Sequence, residues 1–123
     1  MDTPPPIPAS GIGALVDKYM SLLGVVGERP ILKVRSALGV SWLGRTKWSS
    51  HEPHTTTIEL QRSIVGDART LERVLAHEMV HHRDMISMTE GDIAVSRFVK
   101  PESHGAAFMQ GAEIINAVMG PGF

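Results

Sequence analysis

The stretch from residue 68 to 86 constrains the fold most, because it has the pattern of one long amphipathic helix. Its apolar residues recur at helical spacing along one side, at Leu71, Val74, Leu75, Met79 and Met85. Asp67 directly precedes the run, and aspartate is a typical N-cap residue. An apolar helix face has to be covered by other elements, so the sequence predicts a packed domain built around this helix.

The rest of the chain completes an α+β pattern. Residues 11–23 and 103–119 also show the helical spacing of apolar residues, and Ser10 is the predicted N-cap of the first of these helices. Residues 30–60 contain β-branched, partly alternating runs that predict about three strands, the second of them over residues 42–48. We expect a small, mostly antiparallel three-stranded sheet in the form of a meander, with that second strand in the middle.

The chain has the length of one domain. It contains 123 residues, of which 42% are hydrophobic, enough for a single packed core. Prolines crowd the first ten residues and predict a flexible tail over residues 1–10, which leaves residues 11–123 as the domain. No apolar run approaches the roughly 20 residues that cross a bilayer, and the start lacks a signal-peptide pattern. We therefore expect an intracellular, cytoplasmic monomer that is not attached to a membrane.

Residues 77–81 form an HExxH motif in the middle of the strongest predicted helix. His77 and His81 lie one helical turn apart, so both imidazoles can bind one metal ion. Glu78 falls within the apolar arc, where a carboxylate needs a partner or a function. Because the chain has no cysteine, any metal ligands must be histidines or carboxylates. The motif predicts a zinc site with Glu78 as the catalytic residue.

A catalytic zinc ion needs a third protein ligand and one open position. His104 is the preferred candidate, because it opens the last predicted helix on the same inward face as Phe108. Glu102 remains an alternative ligand, whereas Glu113 lies on the outward face of that helix. Of the other histidines, His82 is expected to pack toward the core. His51 and His54 are expected to lie in a surface loop.

The HExxH helix followed by His-Gly-Ala-Ala-Phe at residues 104–108 resembles the SprT-like zinc metalloprotease family. The likeness runs from about residue 31 to residue 119 and includes the strand run at residues 57–60. It implies a minimal zincin-like fold, with zinc bound by His77, His81 and His104 and with Glu78 as the general base. The chain differs from many members in lacking a cysteine after Gly44 and a C-terminal cysteine zinc ribbon.

This site predicts zinc-dependent hydrolysis of peptide bonds in a protein or peptide substrate, with DNA-associated proteins as the class that the resemblance suggests. Zinc lowers the pKa of a bound water, and Glu78 can accept its proton during attack on a peptide carbonyl. An extended substrate is expected along an exposed edge strand, with residues 87–103 as a lid. Three residues are open candidates for the oxyanion donor: Tyr19, Arg45 and His54.

Two other functions stay open at this point. One is a zinc-stabilised, non-catalytic module that binds nucleic acid or protein. The other is a zinc hydrolase that acts on non-peptide amides, because the chemistry of the activated water is the same. An intact Glu78 argues against the first alternative, since a purely structural zinc site does not need a carboxylate beside the metal.

A basic stretch between residues 29 and 50 contains no acidic residue, although the whole chain has a formal charge of −1. The residues that we expect to contact nucleic acid are Lys33, Arg35, Arg45 and Lys47, with Trp42 and Trp48 between or beside them. Cations for phosphates and aromatic rings for bases are typical of surfaces that bind single-stranded nucleic acid. The pattern predicts single-stranded DNA as a partner, and the alternative is a solvated sheet face with both tryptophans in the core.

Overall fold

The computed structural model describes residues 9–36, 42–49, 52–87 and 105–120. Within them, three α-helices and a three-stranded mixed sheet confirm an α+β fold. The helices are α1 (Ala9–Leu22), α2 (Ala68–Ile86) and α3 (Ala106–Met119), and the strands are β1 (Ile31–Arg35), β2 (Gly44–Ser49) and β3 (Glu52–Gln61). Most of the predicted tail and the predicted lid, residues 1–8 and 88–103, lie outside the described residues.

Helix α2 begins and ends where the sequence predicts. The Asp67 carboxylate accepts a hydrogen bond from the Thr70 backbone N–H at 3.3 Å and another from the Thr70 hydroxyl at 2.7 Å. This cap satisfies one of the N–H groups that a helix start leaves without an intrahelical partner. Leu71, Leu75 and Met79 are fully buried along the inner side, and each contributes about 1.5–3 kcal/mol of hydrophobic free energy.

The order of the strands differs from the expected meander. The sheet has the order β1-β3-β2, in which β1 pairs with β3 in parallel and β2 pairs with β3 antiparallel. The long strand β3 is central, and β2 lies at an edge. The apolar side chains explain this arrangement: Ile58 and Leu60 of β3 are fully buried, whereas Ile31 and Val34 of β1 are exposed.

Helix α2 lies at the centre of the molecule, in contact with α1, with α3 and with strands β2 and β3. The boundaries of the other two helices shift from the predicted ones. Helix α1 already includes Ser10, which is therefore not its N-cap, and α3 begins at Ala106 after Gly105. None of the described helices is both long and apolar enough to span a bilayer.

Candidate metal centre

The imidazoles of His77 and His81 face each other across one turn of α2. Their Nε2 atoms are 3.2 Å apart. Two ligand nitrogens at the usual zinc distance, separated by a tetrahedral angle, lie about 3.3 Å apart. The pair therefore has the spacing that a single zinc ion requires.

Phe108 of α3 packs against both of these imidazoles. Its ring centroid is 4.8 Å from that of His77 and 4.7 Å from that of His81, and it stacks on His81 at an interplanar angle of 30°. Phe108 is itself buried. An aromatic ring against both histidines limits the side-chain rotations that would separate their nitrogens, so α3 helps to hold the pair. The sequence placed Phe108 on an inward helix face but did not predict this contact.

Glu78 is buried beside the histidines, as the helical pattern predicts, with 6% of its surface exposed. The Thr46 hydroxyl of β2 lies 2.9 Å from Glu78 Oε1 and 3.2 Å from the Glu78 backbone oxygen. Burial raises the pKa of the Glu78 carboxyl, and the hydrogen bond from Thr46 opposes that rise. The sequence analysis missed Thr46, because an alternating threonine in a strand carries no signal of its own.

Strand β2 approaches α2 most closely at Gly44. A Cβ atom at this position would lie 2.6 Å from Val74 Cγ1 and 3.4 Å from Glu78 Cγ. Only a residue without a side chain fits there unless Val74 moves. The glycine therefore lets the edge strand lie directly against the part of the helix that carries Glu78, which brings Thr46 to Glu78.

Two cavities open between β2 and α2 and meet at His77 and Glu78. One has a volume of about 480 Å³ and lies toward the start of the helix. The residues around it are Leu43, Gly44, Thr70, Arg73, Val74, His77 and Glu78. The other has a volume of about 280 Å³ and extends toward the end of the helix, past Thr46, His81 and Met85. Together the two cavities form a cleft that passes His77, Glu78 and His81.

The third metal ligand stays a prediction. His104 and the alternative Glu102 both lie outside the described residues. Among the residues that are described, no group of three or more histidine, aspartate or glutamate side chains is placed to hold one metal ion. The structure thus brings together His77, His81 and Glu78, the part of the predicted site that it describes.

His82 has the packing role that its place in the helix predicts. It is fully buried, and its Nδ1 forms a hydrogen bond with the Thr56 hydroxyl of β3. Burial lowers the pKa of His82, an effect that the Glu28 backbone partly offsets. This residue therefore joins the helix to the sheet. His51 and the side chain of His54 lie outside the described part.

Two of the candidate oxyanion donors have partners in the described structure. Tyr19 is fully buried on α1, and its hydroxyl donates to Glu72 Oε1 at 2.7 Å. The Arg45 guanidinium lies 3.3 Å from a Glu59 carboxylate oxygen and 4.6 Å from the centre of the Trp42 ring. Each group thus has an acidic partner, and Arg45 also forms part of the wall of the cavity that contains His77, Glu78 and His81.

The basic residues share the sheet face opposite α2. Thr46 faces the helix, so its neighbours Arg45 and Lys47 face the other way. There Arg35, Arg45 and Lys47 form ion pairs with Glu59 at 2.9, 3.3 and 3.0 Å. Burial acts to raise the pKa of Glu59, but hydrogen bonds from Lys47 and Arg35 and the Arg45 charge outweigh it and lower the pKa.

The remaining members of the predicted nucleic-acid set divide between the two faces. Lys33 is exposed and pairs in register with Glu59, on the basic face, and no ion pair among the described residues includes it. Trp42 contacts Arg45 on this side. Trp48 lies two residues after Thr46 and therefore on the helix side, where it is half-buried.

In comparisons with known proteins, no family model, no curated protein and no solved structure matches the chain.

Proposed function

We propose that the protein is a zinc-dependent metallopeptidase with a zincin-like, SprT-like domain, acting on protein or peptide substrates. The observation that carries the proposal is the His77–His81 pair, with its Nε2 atoms 3.2 Å apart, directly beside the buried Glu78. Imidazole nitrogens are common ligands of zinc in proteins. Burial of a carboxylate is costly, and proton transfer at the metal gives that burial a function.

A zinc ion bound by the histidines supplies a Lewis acid that polarises a peptide carbonyl and makes water more acidic. Glu78 accepts a proton from water as the water oxygen bonds to the carbonyl carbon. Glu78 then gives this proton to the amide nitrogen as the C–N bond breaks, so a carboxylic acid and an amine leave and Glu78 is ionised again. The hydrogen bond from the Thr46 hydroxyl supports this role, because it holds the Glu78 carboxylate beside the histidine pair.

His104 is the third ligand in this proposal. This assignment is supported by Phe108, which lies on α3 three residues after Gly105 and packs against the imidazoles of His77 and His81. The parent protein should bind one equivalent of zinc, and His77→Ala, His81→Ala and His104→Ala should each lose it, as measured by metal analysis after gel filtration. Glu102→Ala is the matched control and should keep its zinc. The reverse result, with zinc lost in Glu102→Ala and kept in His104→Ala, would make Glu102 the ligand.

The substitution Glu78→Gln tests the peptidase function. It keeps the shape of the side chain but removes the proton acceptor, so cleavage of casein or a fluorogenic peptide should fall by about 10²–10⁴-fold while zinc content stays the same. Glu113→Gln, on the exposed side of α3, is the control and should cleave like the parent. Equal cleavage by Glu78→Gln and the parent would refute the proton-transfer role.

The same assay separates the two other functions. A parent protein that cleaves simple aryl amides but no peptide is a hydrolase of non-peptide amides. One that binds zinc and cleaves neither is a non-catalytic module.

Binding of single-stranded DNA is a second candidate function, and a specific observation favours it. Four cations, Lys33, Arg35, Arg45 and Lys47, share one face of the sheet around a single carboxylate. Among the side chains that the structure describes on this face, the cations outnumber the carboxylate, and ion pairs with Glu59 hold three of them in place. This surface lies on the opposite side of the sheet from the cleft. In this second function, DNA binds to the basic face while a protein associated with that DNA is cleaved in the cleft.

A further inference from the structure

We propose that a third cavity, which lies between α2 and α3, is a substrate pocket for a small branched aliphatic side chain beside the cleaved bond. The inference rests on the proposed peptidase function and names the side chain that this site selects. The preferred occupant is a valine.

The cavity has a volume of about 90 Å³ and an apolar interior. Ala76 and Val80 of α2 and Ile115 of α3 are buried members of its wall. Other members are exposed or half-buried, namely His77, Ala112 and Asn116. A group that enters past His77 therefore reaches apolar surface between the two helices.

His77 connects this cavity with the cleft, because it lines the two cavities between β2 and α2 and also the one between α2 and α3. Side chains of an extended peptide point alternately to opposite sides of its backbone. When a peptide carbonyl lies at His77 and Glu78, the neighbouring side chain that points toward α3 enters the third cavity. That side chain belongs to a residue that flanks the cleaved bond.

The size and chemistry of the cavity determine which side chain fits. An apolar protein cavity of roughly 150 Å³ binds benzene, so a cavity of about 90 Å³ is too small for a phenylalanine ring. Valine fills more of it than alanine and removes more apolar surface from water. None of the described residues around the cavity is an aspartate, glutamate, lysine or arginine, so a charged substrate side chain has no ion-pair partner among them.

Close packing of α2 and α3 beside the cavity keeps it small. A Cβ atom at Gly111 would lie 2.6 Å from Val80 Cγ1, so the two helices approach as closely there as a glycine allows. Phe108 packs against the imidazoles of His77 and His81 at the same interface. Because these contacts fix the separation of the helices, the cavity cannot widen easily for a larger side chain.

Matched peptides test the pocket by activity. Two series carry Gly, Ala, Val, Leu or Phe, one series before the cleaved bond and the other after it. In one of the two series the parent should prefer Val over Ala and over Phe by about tenfold or more in kcat/KM, the size of effect that a missing methylene has in an apolar pocket. Equal rates for all five residues in both series would overturn the pocket and leave the peptidase.

Substitutions in the cavity wall should change this preference. Ala112→Leu fills the cavity and should lower kcat/KM for the Val peptide about tenfold, with little change for the Gly peptide. Ile115→Val enlarges the cavity and should shift the preference from Val toward Leu. Ala117→Leu is the matched control, because Ala117 is exposed on α3 and is not among the described residues of the wall. Equal losses for all peptides in Ala112→Leu, with an unchanged preference in Ile115→Val, would show that the cavity is only a packing gap.

Fluorescence anisotropy with the same labelled peptides tests the pocket without catalysis, in the Glu78→Gln protein with and without Ala112→Leu. Tighter binding of the Val peptide than of the Gly peptide, lost on addition of Ala112→Leu and kept on addition of Ala117→Leu, supports the pocket. The same binding preference in a parent protein that cleaves no peptide overturns the peptidase and leaves the pocket. Absence of both the binding preference and cleavage overturns both.

Discussion

Thr46 and Glu78 show which residues of the site a sequence can reveal. His77, Glu78 and His81 share one helix, so the helical repeat alone predicts how they lie relative to one another. Thr46 is 32 positions away from Glu78 and reaches it only because β2 packs on α2. A contact of this kind depends on the tertiary arrangement, and no local pattern contains it. The same reason explains why the contact of Phe108 with both histidines was not predicted.

The hydrogen bond from Thr46 should position the Glu78 carboxylate for proton transfer. Thr46→Val has nearly the same shape without the hydroxyl, so we expect kcat on a fluorogenic peptide to fall about tenfold, in line with a lost hydrogen bond to a charged group. KM and zinc content should change little, because the Thr46 hydroxyl forms its hydrogen bonds with Glu78. Thr46→Ser restores the hydroxyl and should restore kcat. A kcat as low in Thr46→Ser as in Thr46→Val would show that packing, rather than the hydrogen bond, is responsible.

At the scale of elements, the sequence predicted α2 with its bounds and cap, but not the order of the strands. A helix of this kind is encoded by its own residues through apolar spacing and Asp67. Strand order depends on which strand has a neighbour on both edges, and β1 and β3 both contain β-branched residues that suit a central strand. The close approach at Gly44 was also not predicted, since a single glycine in a strand has several explanations.

Gly44→Ala should destabilise the contact between β2 and α2. The new Cβ would lie 2.6 Å from Val74 Cγ1, and Val74 is β-branched on a helix and cannot easily rotate away. We expect the free energy of unfolding in urea to fall by about 1–3 kcal/mol. Gly66→Ala is the matched control, because nothing lies within 4 Å of the added Cβ. Equal urea midpoints for Gly44→Ala and the parent would show that β2 can move away from the helix without cost.

Glu59 should make the stability of the sheet depend on pH. Its pKa is lowered in the folded state, so the ionised carboxylate stabilises the fold above the unfolded pKa, and this contribution is lost as pH falls through the folded pKa. The parent should therefore exceed Glu59→Gln in free energy of unfolding at pH 7, and the difference should shrink below about pH 4.5. Urea titrations at pH 7, 5 and 3 measure it, with Glu113→Gln as control. A difference that stays constant over this range would contradict the role of the Glu59 charge.

On the scale of the whole molecule, the sheet separates two surfaces. The face that carries Thr46 lies against α2 and forms the cleft, whereas the opposite face carries the cations around Glu59. The sequence revealed the basic stretch, because charge is visible in the order of residues. It did not reveal that a carboxylate with 2% of its surface exposed lies beneath three of these cations. It also grouped Trp48 with them, although the alternation of β2 puts Trp48 on the helix side.

The buried Glu59 determines how the DNA surface has to be tested. Removing Arg35, Arg45 and Lys47 together would leave Glu59 buried without a partner, and the protein would lose stability for that reason alone. Lys33→Ser avoids this problem, because Lys33 is in no ion pair with the other described residues. A variant with serine at residues 33, 35, 45 and 47 should also carry Glu59→Gln, so that no buried charge is left without a partner. It is then compared with the single variant Glu59→Gln.

With these variants, fluorescence anisotropy on single-stranded DNA at several salt concentrations gives the decisive measurement. Each phosphate contact contributes about 0.7 to the slope of log affinity against log salt, so Lys33→Ser should flatten the slope by about that amount. The fourfold variant should flatten it further than its Glu59→Gln reference. Arg69→Gln, which removes a cation from α2, and Glu78→Gln, which changes the cleft, should both bind like the parent, because they lie on the other side of the sheet. No binding by the parent at low salt, or an equal loss in Arg69→Gln, would remove the basic face as a DNA site and leave the metal centre unaffected.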